Sequence, residues 1–92
     1  MSSQVVRRRL ILTGHVQGVF FRDSTRAAAE HAGVHGWAYN RPDGALEIVL
    51  EGTPSAVESV IAFCRQGPDR ASIEGFEVHD EEPEGLAGFE IR

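Results

Sequence analysis

Lysine is missing from this chain of 92 residues: all nine basic side chains are arginine, set against fourteen acidic ones, for a net charge of −5. That balance argues against a nucleic-acid partner, because binding a phosphate backbone needs a basic footprint. The preference for arginine has no functional reading of its own. Cysteine occurs once, at Cys64, which excludes an internal disulfide and an all-cysteine metal cage. No apolar run approaches the roughly 20 residues of a membrane span, so no membrane partner is expected. Met1 to Val6 lacks the basic start, long apolar stretch and small-residue cleavage site of a secretory signal. A cytoplasmic chain is therefore expected, with residues 1–6 as a frayed tail. The length suits one domain, 1–92, with a core of one sheet and two helices.

The apolar pattern gives the order of elements. Arg9 to Thr13 reads as a strand with Leu10 and Leu12 on one face and Arg9, Ile11 and Thr13 on the other. Alternation splits Arg7, Arg8 and Arg9 between two faces, as in a solvated strand start rather than a binding patch. A helix follows from about Arg22 to Ala32, with Thr25, Ala28, Ala29 and Ala32 as a stripe of small residues and Gly33 suited to end it. His35 to Arg41 reads as a second strand, with Trp37 and Tyr39 on one face and Gly36, Ala38 and Asn40 on the other. Pro42-Asp43-Gly44 makes a tight turn into a third strand, where Leu46, Ile48 and Leu50 alternate with Glu47, Val49 and Glu51.

Thr53-Pro54 starts a second helix, whose stripe is Val57, Val60, Ile61 and Cys64 and which Gly67-Pro68 ends. Cys64 is in step with that stripe and so reads as a buried structural thiol, not a nucleophile. Phe76 and Val78 share the face of a further strand, while Ile73 is out of phase and predicts a bulge near Gly75. Asp80 to Glu84 reads as a solvated loop, and Gly88 to Arg92 as a last short strand. The order strand, helix, strand, strand, helix, strand, with one strand added, predicts a ferredoxin-like βαββαβ sandwich of α+β class. Right-handed crossovers place both helices on one face of a mostly antiparallel sheet. That architecture hosts many functions and names none.

The chemistry is concentrated in Gly14-His15-Val16-Gln17-Gly18-Val19-Phe20-Phe21-Arg22, which joins a strand pattern to a helical one. Gly14 and Gly18 tolerate backbone angles that turn successive N–H groups inward, at a helix start whose free donors and dipole favour negative charge. Arg22 adds a planar grip on phosphoryl or carboxylate oxygens. On residue chemistry alone, the stretch is an anion cradle or a plain strand-to-helix turn with an exposed arginine. It is not the Walker loop, which has four residues between its glycines and then lysine, nor the dinucleotide fingerprint.

The string resembles the first signature of the acylphosphatase family, Gly-x-Val-Gln-Gly-Val-x-Phe-Arg, at every fixed position. Gly36 to Leu46, closed by Glu51-Gly52, resembles the second. The resemblance runs from the first strand to Phe89-Glu90-Ile91, nearly the whole chain. It implies a hydrolase that cleaves the carboxyl–phosphate bond of small acyl phosphates by direct attack of water, without cofactor or metal. It also implies that His15, Val16, Gln17, Gly18, Val19, Phe20 and Arg22 bind the phosphoryl group and that Asn40 orients the water. The catalytic residues are then Arg22 and Asn40. Tyr39, Ala45 and Leu46 depart from the usual pattern. At Ala45 the missing hydroxyl weakens an accessory hydrogen bond near Asn40, which bears on rate and not on the reaction.

Elementary chemistry agrees with that activity. The carboxylate of an acyl phosphate leaves without a proton, so no paired carboxylates are needed. The barrier lies in placing water in line with phosphorus and stabilising charge on the equatorial oxygens, which N–H groups and one arginine can do. A carboxamide both accepts and donates, so Asn40 serves as an orienter rather than a general base.

Other constellations carry less. His31 and His35 are four apart but Gly33 intervenes and no third ligand is evident, so no zinc site is expected. Ser24 reads as a first-turn hydroxyl or plain helix surface, and His15 as an exposed histidine at the cradle. A freestanding anion- or partner-binding module is the alternative, since similar domains open larger hydrogenase-maturation carbamoyl-transfer proteins. An RNA-reading module of this architecture is disfavoured by the charge and the missing aromatic strand motif. A monomer acting on a small acyl phosphate and releasing phosphate is expected.

Overall fold

The computed structural model describes residues 4–92. Its elements are β1 (Val6–His15), α1 (Phe21–Ala32), β2 (His35–Asn40), β3 (Leu46–Gly52), α2 (Pro54–Gln66), β4 (Ser72–Glu81) and β5 (Phe89–Ile91). The five strands form one sheet in the order β4-β1-β3-β2-β5. β1 is antiparallel to β3 and β4, β2 is antiparallel to β3, and β5 lies parallel to β2. This is the ferredoxin-like sandwich with an added edge strand.

Strand alternation places Leu10, Leu12, Ala38, Leu46, Ile48 and Leu50 on the helix-facing side, where all are fully buried. They meet Phe21, Thr25 and Ala29 of α1 and Val57, Val60, Ile61 and Cys64 of α2. Each large side chain so buried contributes about 1.5–3 kcal/mol. Small residues let α1 lie close to the sheet, and its stop at Gly33 is closed by bonds from the Gly33 and Val34 N–H groups to the carbonyls of Glu30 and Ala29. In α2, Thr53 Oγ1 accepts from the Ala56 N–H at 3.3 Å and Pro54 takes the first position, as expected. Burial pushes the Cys64 thiol up to about 12, against a weak contact to Thr25 Oγ1 at 3.8 Å.

The bulge expected near Gly75 is present: Thr13 pairs with Gly75 but Gly14 pairs with Ile73, so Glu74 is the extra residue. Three expectations are corrected. β1 begins at Val6, which pairs with Gly52, so the tail is shorter than six residues; residues 1–3 lie outside the described ones. Arg7 is not solvated but 4 % exposed. Asp80 and Glu81 belong to β4, so only Glu82 to Glu84 form the exposed loop expected there, and its Glu84 N–H is bonded to Glu51.

One buried carboxylate explains the last two. Glu51 (2 % exposed) accepts from Arg7 Nη1 at 2.8 Å and from the N–H groups of Glu84, Gly85 and Leu86 at 2.8, 3.1 and 3.0 Å. Glu81 takes the Nε of Arg7 at 2.8 Å and of Arg9 at 2.6 Å, and Arg9 also pairs with Glu47. On the same open face Trp37 lies between the guanidinium groups of Arg9 and Arg92, 5.5 and 4.6 Å from its ring centre. β5 is thereby held at the edge, with Gly36 N–H bonded to Gly88 O and Arg92 N–H to Ala38 O. Among the described residues no helix is long and apolar enough to cross a membrane.

Candidate active site

The loop between β1 and α1 is shaped by backbone angles of opposite sign. Gly14 has φ 114°, and a Cβ there would lie 2.4 Å from Ser72 O and 2.8 Å from Glu74 N. Its freedom fits β1 beside the β4 bulge; it is a ladder residue, not a wall of the cradle. Gly18 has φ 75° with open space where a Cβ would go, so its requirement is conformational. Phe20 has φ 61° and ψ 26°, a left-handed conformation that is rare for a bulky residue. Gln17 and Val19 have ordinary negative φ. The alternation over Gln17 to Phe20 is the pattern that points consecutive N–H groups at one centre.

Phe20 also begins α1, with no side-chain cap. Ser24 N–H is the first to bond back, to Phe20 O at 3.0 Å, so the N–H groups before it have no intrahelical acceptor. A cavity of about 240 Å³ opens here, lined by Val16, Gly18, Phe20, Phe21, Arg22, Asp23, Asn40 and Ile91. The fold therefore brings Arg22 and Asn40 together from α1 and the end of β2. Arg22 Nη1 donates to Arg92 O at 3.0 Å, which anchors one of its five donors. Asn40 Oδ1 is buried and has no hydrogen-bond partner.

The other loop residues have different placements. His15 is exposed at the end of β1 opposite Ser72, and Val19 is buried in the core. The Gln17 amide donates to Arg41 O at 2.9 Å and Ala45 O at 3.0 Å. None of the three lines the cavity, and neither does Ser24. His35 is not set up with His31: its Nδ1 accepts from Gly88 N–H at 2.8 Å, beside β5.

Asp23 and Ile91 line the cavity without having been anticipated. Ile91 arrives through the parallel pairing of β5 with β2, which no local pattern encodes. Asp23 had a local signal, an acidic residue in the first turn, where it suits the helix dipole. The 77 % exposed ring of Phe20 forms part of the rim.

Fold and cavity together define a ferredoxin-like domain with an uncapped helix start facing a buried carboxamide acceptor. Sequence comparison makes that class specific. The acylphosphatase family model matches residues 8–91. An acylphosphatase of Rubrobacter xylanophilus is 51% identical over 90 residues, 97% of this chain and 82% of that one. The crystal structure of the Bacillus subtilis acylphosphatase superposes with a TM-score of 0.91 at 32% identity, covering 95% of this chain and 98% of that one. Full-length HypF, solved in a phosphate- and nucleotide-bound form, matches with a TM-score of 0.93 at 27% identity, but over only 12% of its own length. The chain belongs to the acylphosphatase family.

Proposed function

We propose that this chain, a hydrolase of the acylphosphatase family, cleaves the carboxyl–phosphate bond of small acyl phosphates in the cavity between α1, β2 and β5. The N–H groups of the Gln17 to Phe20 loop and of the first turn of α1 hold the phosphoryl oxygens, and Arg22 adds the charged grip. Asn40 Oδ1 accepts a hydrogen bond from the attacking water and aims it in line with phosphorus. The carboxylate leaves opposite, taking the bond electrons without a proton. The substrate comes from the cytoplasm, and the enzyme acts as a monomeric single domain.

The observation that carries this reading is the buried, unpartnered Asn40 Oδ1 in the same cavity as Arg22 and the uncapped helix start. A buried acceptor without a donor costs about 1–3 kcal/mol, and a water at that position would restore its bond. Purified protein is expected to hydrolyse benzoyl phosphate equally with and without EDTA. Losing one preorganised group typically costs about 3 kcal/mol, roughly a hundredfold in rate. Asn40→Ala should lose that much in kcat and keep competitive inhibition by inorganic phosphate, while Arg22→Ala should weaken that inhibition as well. Phosphate binding without turnover by the wild type would instead favour an anion-binding module.

A further inference from the structure

We infer that Gln17 is a positioning residue that holds the Asn40 carboxamide in register with the phosphoryl cradle; this rests on the reading of the cavity given above. Its Nε2 donates to two carbonyls, Arg41 O at 2.9 Å and Ala45 O at 3.0 Å. Those carbonyls flank the turn that directly follows Asn40. The turn is rigid in itself. Arg41 N–H bonds to Ala45 O at 2.8 Å and Gly44 N–H to Arg41 O at 3.1 Å. Asp43 braces it from inside, taking Ala45 N–H at 3.0 Å on Oδ1 and Arg41 Nη2 at 2.8 Å on Oδ2. Gln17, for its part, belongs to the loop of alternating backbone angles and immediately precedes Gly18, which lines the cavity.

The two halves of the site are separated in sequence by more than twenty residues and sit on different elements, a loop and a hairpin. One amide group joins them. Its two N–H donors make a forked link that fixes both separation and rotation, which a single bond would not. Asn40, one residue before the clamped Arg41, is thereby set relative to the loop one residue after Gln17. Because misplacing a reacting group by about 1 Å can cost roughly a hundredfold in rate, this link acts on kcat. Phosphate affinity is set by the loop N–H groups and Arg22, which the Gln17 side chain does not replace.

Both carbonyls keep a backbone partner when the amide is removed, so Gln17→Met, similar in length but without donors, leaves no orphaned acceptor there. It is expected to fold. With benzoyl phosphate, Gln17→Met should lose about tenfold to a hundredfold in kcat, with inhibition by inorganic phosphate changed less than about threefold. Gln17→Glu, which turns a carboxylate toward the two carbonyls, should lose more than Gln17→Met. In an Asn40→Ala background, Gln17→Met should have less than about a twofold further effect, because the group it positions is gone.

A merely structural role would lower the urea midpoint and leave the kcat of the folded protein intact. Wild-type turnover with unchanged kcat in Gln17→Met would overturn this inference alone. So would an equal loss in the presence and absence of Asn40, or weaker phosphate inhibition at constant kcat. Wild-type protein that binds phosphate but does not turn over would overturn the reading of the cavity, and this inference with it.

Discussion

Replacing Glu51 by alanine should unfold much of the stability of this chain, although Glu51 is outside the cavity. Its carboxylate gathers four donors: Arg7 Nη1 and the N–H groups of Glu84, Gly85 and Leu86. Arg7 is 4 % exposed and keeps two more exposed partners when Glu51 is gone, Glu81 at 2.8 Å (30 % exposed) and Glu84 at 3.7 Å (66 % exposed). Breaking such a buried pair from one side costs about 3–5 kcal/mol. A chain of this length has about 5–14 kcal/mol in all. With a urea slope of about 1–1.5 kcal/mol/M, the midpoint of Glu51→Ala should fall by about 2–5 M at pH 7.

The same network predicts acid sensitivity. Burial alone would raise the Glu51 carboxyl, but the Glu84 N–H, Arg7 and the N–H groups of Leu86 and Gly85 together hold it below the ordinary range. Glu81 is lowered to about 2, by its bonds to Arg9 and then Arg7. A carboxyl with a lowered folded-state value stabilises fully above its unfolded value and loses that contribution as pH falls through the folded one. Stability should thus decline from about pH 4.5 toward about 2, with a shallower decline in Glu81→Gln. A Glu51→Ala cost below about 1 kcal/mol in urea titration would refute the reasoning.

Gly14→Ala and Gly18→Ala should separate in the same titration: the first meets Ser72 O at 2.4 Å and should cost more than about 2 kcal/mol. The second meets nothing and should cost about 1 kcal/mol for its left-handed backbone. Cys64, buried with its thiol pushed up to about 12, should stay unlabelled by iodoacetamide at about pH 8 in the folded protein and react fully in urea. Asp23→Asn removes a negative charge from the cavity wall, so inorganic phosphate should inhibit about two to five times more tightly at low salt. That gain should disappear near 0.5 M salt, about where screening removes exposed-charge effects; equal inhibition at low salt would count against an anion site.

The parts of the fold that were legible from sequence are those with local periodicity. Leu46, Ile48 and Leu50 alternate, Val57 to Cys64 repeats at helical spacing, and Gly33 and Thr53-Pro54 carry their own helix signals. The Ile73 phase break marked a bulge that the pairing of Gly14 with Ile73 displays. What was not legible depends on partners distant in sequence. Arg7 reads as solvent-exposed because nothing near it shows that Glu51 and Glu81 lie on the two neighbouring strands. Asp80 and Glu81 look like loop for the same reason. Gln17 sits inside a phosphate-loop string, yet its side chain serves the β2–β3 turn. Phe20 gives no warning of a left-handed backbone, because the strain is imposed by the turn between Gly18 and α1.

The distribution of satisfied and unsatisfied groups separates the site from the scaffold. α2 begins with a hydroxyl cap and a proline, and the buried Glu51 carboxylate is bonded on both oxygens. α1 begins on Phe20 with no cap, in a backbone conformation that costs about 1–3 kcal/mol. Asn40 Oδ1, across the cavity, is buried without a donor. These costs fall together in one place, and their chemistry is complementary. The helix start lacks acceptors, and the carboxamide lacks a donor. An anion with several oxygens meets the first need, and a water beside it meets the second. In the reaction proposed above, a phosphoryl group would take the first place and the water that attacks it the second, with Gln17 linking the two halves.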